Sequence, residues 1–236
     1  MRKKVRIAIA VILALACVGC AVAYFGWIRP DRIKLQAHQQ AIERYRAEKT
    51  KIYLQENDRY ADYEVDVAFL GDSLTDGYDV AAAYPKFLVC NRGIGGDTTF
   101  DLEGRLQISV YDLKPKVAVM LIGANNFGSM FDNYENILAG LQKNLPETKV
   151  VLLSLTCMGG EQWGRNNAQA AYNNVKIKLL AEKYGFAFVD LYSPLMDLQT
   201  GEIYPHYTTD GGHLTAQGYE VLTAQITPVL EALLAQ

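Results

Sequence analysis

Apolar residues follow two rhythms along this chain. Between positions 65 and 191, short and nearly unbroken runs of Val, Leu, Ile and Phe recur, separated by longer stretches with helical spacing. Runs of that length predict strands covered on both faces, and their alternation with helices predicts βαβ units around a largely parallel sheet. Five strands are predicted, over Val65–Leu70, Phe87–Cys90, Val117–Ile122, Val150–Leu155 and Phe186–Leu191. Helices are predicted near 98–111, 132–145, 165–184 and 215–235. Asp112 and Pro115 bound the first, and Thr215 caps the last.

The amino terminus has a different pattern. Ile7 to Ile28 is a run of 22 residues without a charged side chain. At about 1.5 Å per residue it would cross a hydrocarbon core of roughly 30 Å. It reads as an uncleaved signal anchor, a transmembrane helix preceding the main domain. Ala21-Val22-Ala23 keeps open a cleaved signal peptide, and Cys17 or Cys20 keeps open lipid attachment. Arg2, Lys3, Lys4 and Arg6 before the run outweigh Arg29, Arg32 and Lys34 after it, which orients the body of the protein outward, towards the cell surface. From Pro30 the sequence turns polar and helix-prone around Leu35, Ile42, Tyr45, Ile52 and Tyr53, as a helical stalk or a helix packed on the domain. The expected organisation is therefore 1–29 anchor, 30–60 stalk or packed helix, and 61–236 catalytic-sized α/β domain.

Charge narrows the partners. The chain carries 23 Lys+Arg against 26 Asp+Glu, and the part after residue 6 has only 19 basic residues. Such an acidic body lacks the basic excess that nucleic-acid binding needs. Cys17 and Cys20 lie in the apolar run, and Cys90 and Cys157 stand far apart, so no Cys/His cluster has zinc spacing. Neither a metal nor another cofactor is called for.

In an open parallel sheet the ligand site lies outside the carboxyl ends of the strands. The informative motifs fall there: Gly71-Asp72-Ser73-Leu74, Asn91-Arg92-Gly93-Ile94-Gly95-Gly96-Asp97-Thr98, Gly123-Ala124-Asn125-Asn126, and Asp210-Gly211-Gly212-His213-Leu214 before the last helix. They supply what a serine-type ester hydrolase needs. Ser73 is the candidate nucleophile, His213 the base and Asp210 the group that holds the imidazole tautomer. The backbone N–H groups of Ser73 and Gly96 and the side-chain amide of Asn125 are the candidate oxyanion donors. Singly, each motif reads as a turn, a loop or a helix start. Their conjunction at four strand ends is what points to chemistry. His206 is the alternative base, without an acid at matching spacing. Gly93-Ile94-Gly95-Gly96 fits a dinucleotide loop poorly, because it follows the second strand and lacks the third glycine.

These four motifs resemble the GDSL, or SGNH, hydrolase family, over roughly residue 65 to the last helix. The resemblance implies a flavodoxin-like three-layer α/β/α sandwich with sheet order 2-1-3-4-5, with Ser73, Gly96, Asn125 and the Asp210–His213 pair in the family's block positions. Asn126 stands where the family usually has Asp. Gly-Ile-Gly-Gly-Asp and Asn-Asn resemble the branch of the platelet-activating-factor acetylhydrolase catalytic subunits, which implies small-acyl, especially acetyl, ester chemistry. In that sheet order Cys90 and Cys157 are three strands apart, about 14 Å, too far for a disulfide.

The expected activity is a metal-independent serine esterase working through an acyl-enzyme on an acylated small molecule, carbohydrate or lipid. Cell-envelope carbohydrate is one setting. Transfer of the acyl group to a sugar hydroxyl and a non-catalytic carbohydrate-binding module are the alternatives, and the oligomeric state is open. Substrate choice is expected in the loops 76–84, 127–133, 158–166 and 193–209, where Trp163, Tyr78 and Tyr204 read either as a sugar-stacking wall or, each taken singly, as ordinary loop packing.

Overall fold

The computed structural model describes residues 13–22 and 24–235. By contacts the chain divides into two compact units, Met1–Ala47 and Glu48–Gln236. In the first, residues 13–22 are helical and Tyr24–Ile28 forms a π-helical turn before helix α1 (Arg29–Asn57), which runs on into the second unit. Of the expected anchor, positions 1–12 and 23 lie outside the described residues. Among the described residues no helix is long and apolar enough to cross a membrane.

The second unit holds five parallel strands, β1 (Val67–Gly71), β2 (Val89–Gly93), β3 (Val117–Leu121), β4 (Lys149–Leu153) and β5 (Ala187–Val189), in the order β2-β1-β3-β4-β5. This is the expected order. Around the sheet lie α2 (Ser73–Asp76), α3 (Val80–Ala83), α4 (Thr99–Gly104), α5 (Tyr134–Asn144), α6 (Gly160–Trp163), α7 (Asn167–Tyr184), α8 (Tyr192–Leu195) and α9 (Ala216–Leu234).

The central strands β1, β3 and β4 are apolar on both sides because both sides are covered. Val67, Phe69, Val119 and Leu153 face α9 through Leu222, Ile226 and Leu230. Leu70, Met120 and Leu152 face α4, α5 and α7 through Leu102, Ile137 and Ile177. The result is the three-layer α/β/α sandwich that period-2 alternation within continuous apolar runs requires.

Several boundaries move. The second strand starts at Val89 and runs to Gly93, two to three residues later than the apolar run, because Asn91 and Arg92 find buried partners. The fifth shortens to three residues at the sheet edge, since Asp190 leaves the strand to accept the backbone N–H groups of Tyr192 and Ser193. The helix expected over 98–111 ends at Gly104 and resumes as a π-helical turn, Gln107–Tyr111. The end of α1 packs on the domain: Tyr53 is buried and its hydroxyl donates to Gly93 O at 2.6 Å. Cys90 in β2 and Cys157 beyond β4 are buried free thiols with β1 and β3 between them.

Candidate active site

The four motifs converge at the carboxyl edge of the sheet. β1 delivers Asp72 and Ser73, and Ser73 opens α2 because the Asp72 carboxylate accepts the Leu74 N–H at 3.1 Å. As the first residue of the helix, Ser73 has a backbone N–H that the helix itself does not use. Asp72 is almost fully buried and its Oδ2 has no partner. Burial, reinforced by the nearby Asp97 carboxylate, pushes its carboxyl up to about 7, against the opposing pull of the Leu74 N–H, His213 and Arg105.

Beyond β2 the chain turns through Gly95 and Gly96 into α4. Gly96 has φ +84°, a conformation glycine adopts without strain. Gly95 donates its N–H to Asp76 Oδ2 at 2.9 Å, which favours Gly96 as the donor towards substrate. Beyond β3, Asn125 Nδ2 donates to Asp97 O at 2.9 Å. An amide nitrogen carries two hydrogens, so this bond fixes the group and leaves the second hydrogen for a ligand. Asn126, in place of the family's Asp, accepts the Thr99 N–H at 3.3 Å and donates to Thr99 Oγ1 at 2.9 Å. It therefore ties the third motif to the start of α4.

One buried side chain that the sequence did not single out joins these segments. Arg105 Nε pairs with Asp97 Oδ2 at 2.6 Å, and its other nitrogens donate to Arg92 O at 2.9 Å, Ser109 Oγ at 2.7 Å and Gly71 O at 3.0 Å. It clamps the residue before Asp72, the end of β2 and the loop that carries Gly96. Lys49 of α1 pairs with Asp76 at 2.7 Å on the same side.

The fourth motif brings the base. His213 Nε2 lies 3.1 Å from Ser73 Oγ, and His213 Nδ1 lies 2.7 Å from Asp210 Oδ2. A carboxylate can only accept, so the ring hydrogen sits on Nδ1 and the Nε2 lone pair faces the Ser73 hydroxyl. Asp210 Oδ1 also accepts the backbone N–H groups of Gly212 and His213, at 2.9 and 2.7 Å. Partial burial raises the Asp210 carboxyl, but the bonds from His213 and Gly212 outweigh it and hold the group well below the usual carboxylate range. It stays ionised wherever the imidazole is neutral. The chain Asp210–His213–Ser73 can thus draw a proton from the serine hydroxyl.

All the expected site residues are therefore brought to one edge. His206 instead packs its ring on Tyr207, with centroids 4.1 Å apart. The expected sugar-stacking wall loses Tyr78, which is buried, stacks on Tyr219 at 4.9 Å and bonds through its hydroxyl to Tyr84 and Thr223. Trp163 does stand beside the site, 5.7 Å from the His213 ring. A groove of about 730 Å³ runs past Gly77 and Leu214, between Ala82 and Tyr219.

Comparison with known proteins agrees with this geometry. Residues 69–221 match the GDSL-like Lipase/Acylhydrolase family. Human platelet-activating factor acetylhydrolase IB subunit alpha2 is 28% identical over 193 residues, covering 74% of this chain and 80% of the relative. Among solved structures, a GDSL-like lipase from Bacteroides thetaiotaomicron superposes with a TM-score of 0.67 at 27% identity, over 78% of this chain and 97% of the other. A Streptococcus pneumonia structure described as a platelet activating factor shares the fold with a TM-score of 0.75 at 23% identity, over 84% of this chain and 99% of the other.

Proposed function

The chain belongs to the GDSL-like lipase/acylhydrolase family and is a carboxylic ester hydrolase, and from that premise we propose that it removes a small acyl group, acetyl by preference, through an acyl-enzyme on Ser73. Ser73 Oγ attacks the ester carbonyl while His213 takes its proton and Asp210 stabilises the imidazolium. The N–H groups of Ser73 and Gly96 and the free hydrogen of the Asn125 amide receive the oxyanion. The imidazolium then protonates the leaving alcohol. Water, deprotonated by His213, attacks the acyl-enzyme and releases the acid and the free serine.

The observation that carries this reading is the unbroken Asp210–His213–Ser73 hydrogen-bond chain, with links of 2.7 and 3.1 Å. The preference for acetyl draws on the relatives named as acetylhydrolases. Hydrolysis of 4-nitrophenyl acetate, 4-nitrophenyl octanoate and an acetylated xylo-oligosaccharide by the full chain tests it, with Ser73→Ala as control. Acetyl esters are expected to have the higher kcat/KM. A preference for octanoate would overturn the small-acyl reading and direct attention to the groove past Gly77 and Leu214.

The setting we propose is the outer face of a membrane, with the apolar run as anchor and cell-envelope carbohydrate as acyl carrier. Protease treatment of intact cells expressing the chain is expected to degrade the hydrolase domain. Full protection there, with degradation only after lysis, would contradict it.

A further inference from the structure

Two glycines separate Asp210 from His213, and they are glycines for different reasons. Gly211 has φ +93°, and a Cβ on it would stand 2.0 Å from Gly159 O. Backbone conformation and main-chain contact both exclude a side chain there. Gly212 is not among the residues with positive φ, so its backbone would accept alanine. What excludes a side chain at 212 is one indole: a Cβ there would lie 2.7 Å from Cγ, Cδ2 and Cε2 of Trp163.

The same indole meets the His213 imidazole edge to face, with centroids 5.7 Å apart and planes at 88°. Trp163 thus touches the main chain next to the base and the base itself. Its Nε1 is buried without a partner, so packing rather than a hydrogen bond seats the ring. The segment carrying it is fastened to the same loop: Gly159 donates its N–H to Gly211 O at 2.9 Å, and Gly160 donates to Glu202 Oε2 at 3.1 Å. The His213 side chain is 43% exposed, and Ser73 and Asp210 are its hydrogen-bonding side chains. An imidazole so open to solvent needs a wall to stop it turning away between turnovers.

We propose that Trp163 is a positioning residue for His213, holding the imidazole in line with Ser73 Oγ and Asp210, and that position 212 is glycine so that the indole can seat. The inference rests on His213 acting as the base. It deepens that reading by naming what keeps the base in place, and it requires no contact between the indole and the reacting atoms.

A double-mutant cycle in the full chain tests it, read by 4-nitrophenyl acetate turnover and by the rate of fluorophosphonate labelling. Since a misplacement of about 1 Å can cost 10² in rate, Trp163→Ala is expected to lower kcat and labelling about tenfold to a hundredfold at nearly constant KM. Trp163→Phe, which restores a ring, is expected to recover most of the loss. Gly212→Ala is expected to be as damaging as Trp163→Ala beside Trp163, and nearly silent in the Trp163→Ala background. An equal cost of Gly212→Ala in both backgrounds, or an unchanged kcat in Trp163→Ala, would overturn the proposal.

A second readout needs no substrate. The chain has two tryptophans, Trp27 and Trp163, so Trp27→Phe leaves Trp163 as the sole emitter. The intensity of Trp163 emission is therefore expected to change on His213→Gln, because the imidazole meets the indole edge to face. Emission that His213→Gln leaves unchanged contradicts the contact. Ser73→Ala and His213→Gln separate the two levels. If they still turn over ester normally, the reading of the site fails; if they are inactive while Trp163→Ala is normal, only this inference fails.

Discussion

The two halves of the site are held by opposite means. On the nucleophile side, Arg105 and Asp97 have side chains 5% and 0% exposed, and the guanidinium fastens Gly71 O, Arg92 O and the Asp97 carboxylate in the dry interior. On the base side, His213 and Asp210 have side chains 43% and 36% exposed, fixed by turn hydrogen bonds and by Gly211 and Gly212 lying against the segment 159–163. The half that must stay rigid while an oxyanion develops is built into the core, where preorganised donors act in a low dielectric. The half that must exchange a proton with water at each turnover remains wet. Substitutions on the nucleophile side are thus expected to change stability together with rate, and those on the base side to change rate almost alone.

The sharpest separation is expected at Asp210. Asp210→Asn preserves the turn but allows the wrong imidazole tautomer, and kcat is expected to fall about 10⁴-fold. The urea midpoint should stay close to wild type, since the position is exposed. A large loss of stability there would erase the distinction. Arg105→Met is expected to do the reverse: removing the buried guanidinium that pairs with the Asp97 carboxylate costs about 3–5 kcal/mol in urea unfolding, with a loss of rate as well. Asn125→Ala removes an oxyanion donor and is expected to lower kcat by about 10²–10³, or about 2.7–4 kcal/mol of transition-state stabilisation.

The smallest effect concerns Asp72, and it sharpens the comparison through pH. Its carboxyl is raised to about 7 in the folded chain, so the folded state holds a proton that the unfolded state has released. The stabilisation is complete below the ordinary Asp range and is lost as pH rises through about 7. Between about pH 5 and pH 7, as the folded group goes from fully to half protonated, the loss amounts to about 2 kcal/mol. Unfolding measured at both values is expected to reveal the decline in wild type and its absence in Asp72→Asn.

The parts legible in the sequence are those whose signal is local. Five strands could be read because a short apolar run marks each, buried on both faces in β1, β3 and most of β4, and Ser73, Gly96, Asn125, Asp210 and His213 because each lies in a short motif at a strand end. What escaped depends on distant partners. Asn91 and Arg92 look too polar for a buried strand until Asn91 meets Thr75 O and Tyr78 O, and Arg92 meets Tyr53 and Asn57 from α1. Arg105 looks like an ordinary helix-end arginine; its role comes from carbonyls at Gly71 and Arg92. Tyr78 reads equally as a sugar-stacking or a packing aromatic, because nothing nearby in sequence announces its stacking on Tyr219. The two glycines before His213 were visible, but not the indole that one of them accommodates.

Intact-mass spectrometry of the full chain after fluorophosphonate treatment, beside Ser73→Ala, tests most directly whether the hydrogen-bond chain through His213 makes Ser73 a nucleophile. One adduct on wild type and none on Ser73→Ala is the expected result. An unmodified wild type, under conditions where a serine esterase control reacts fully, would contradict it.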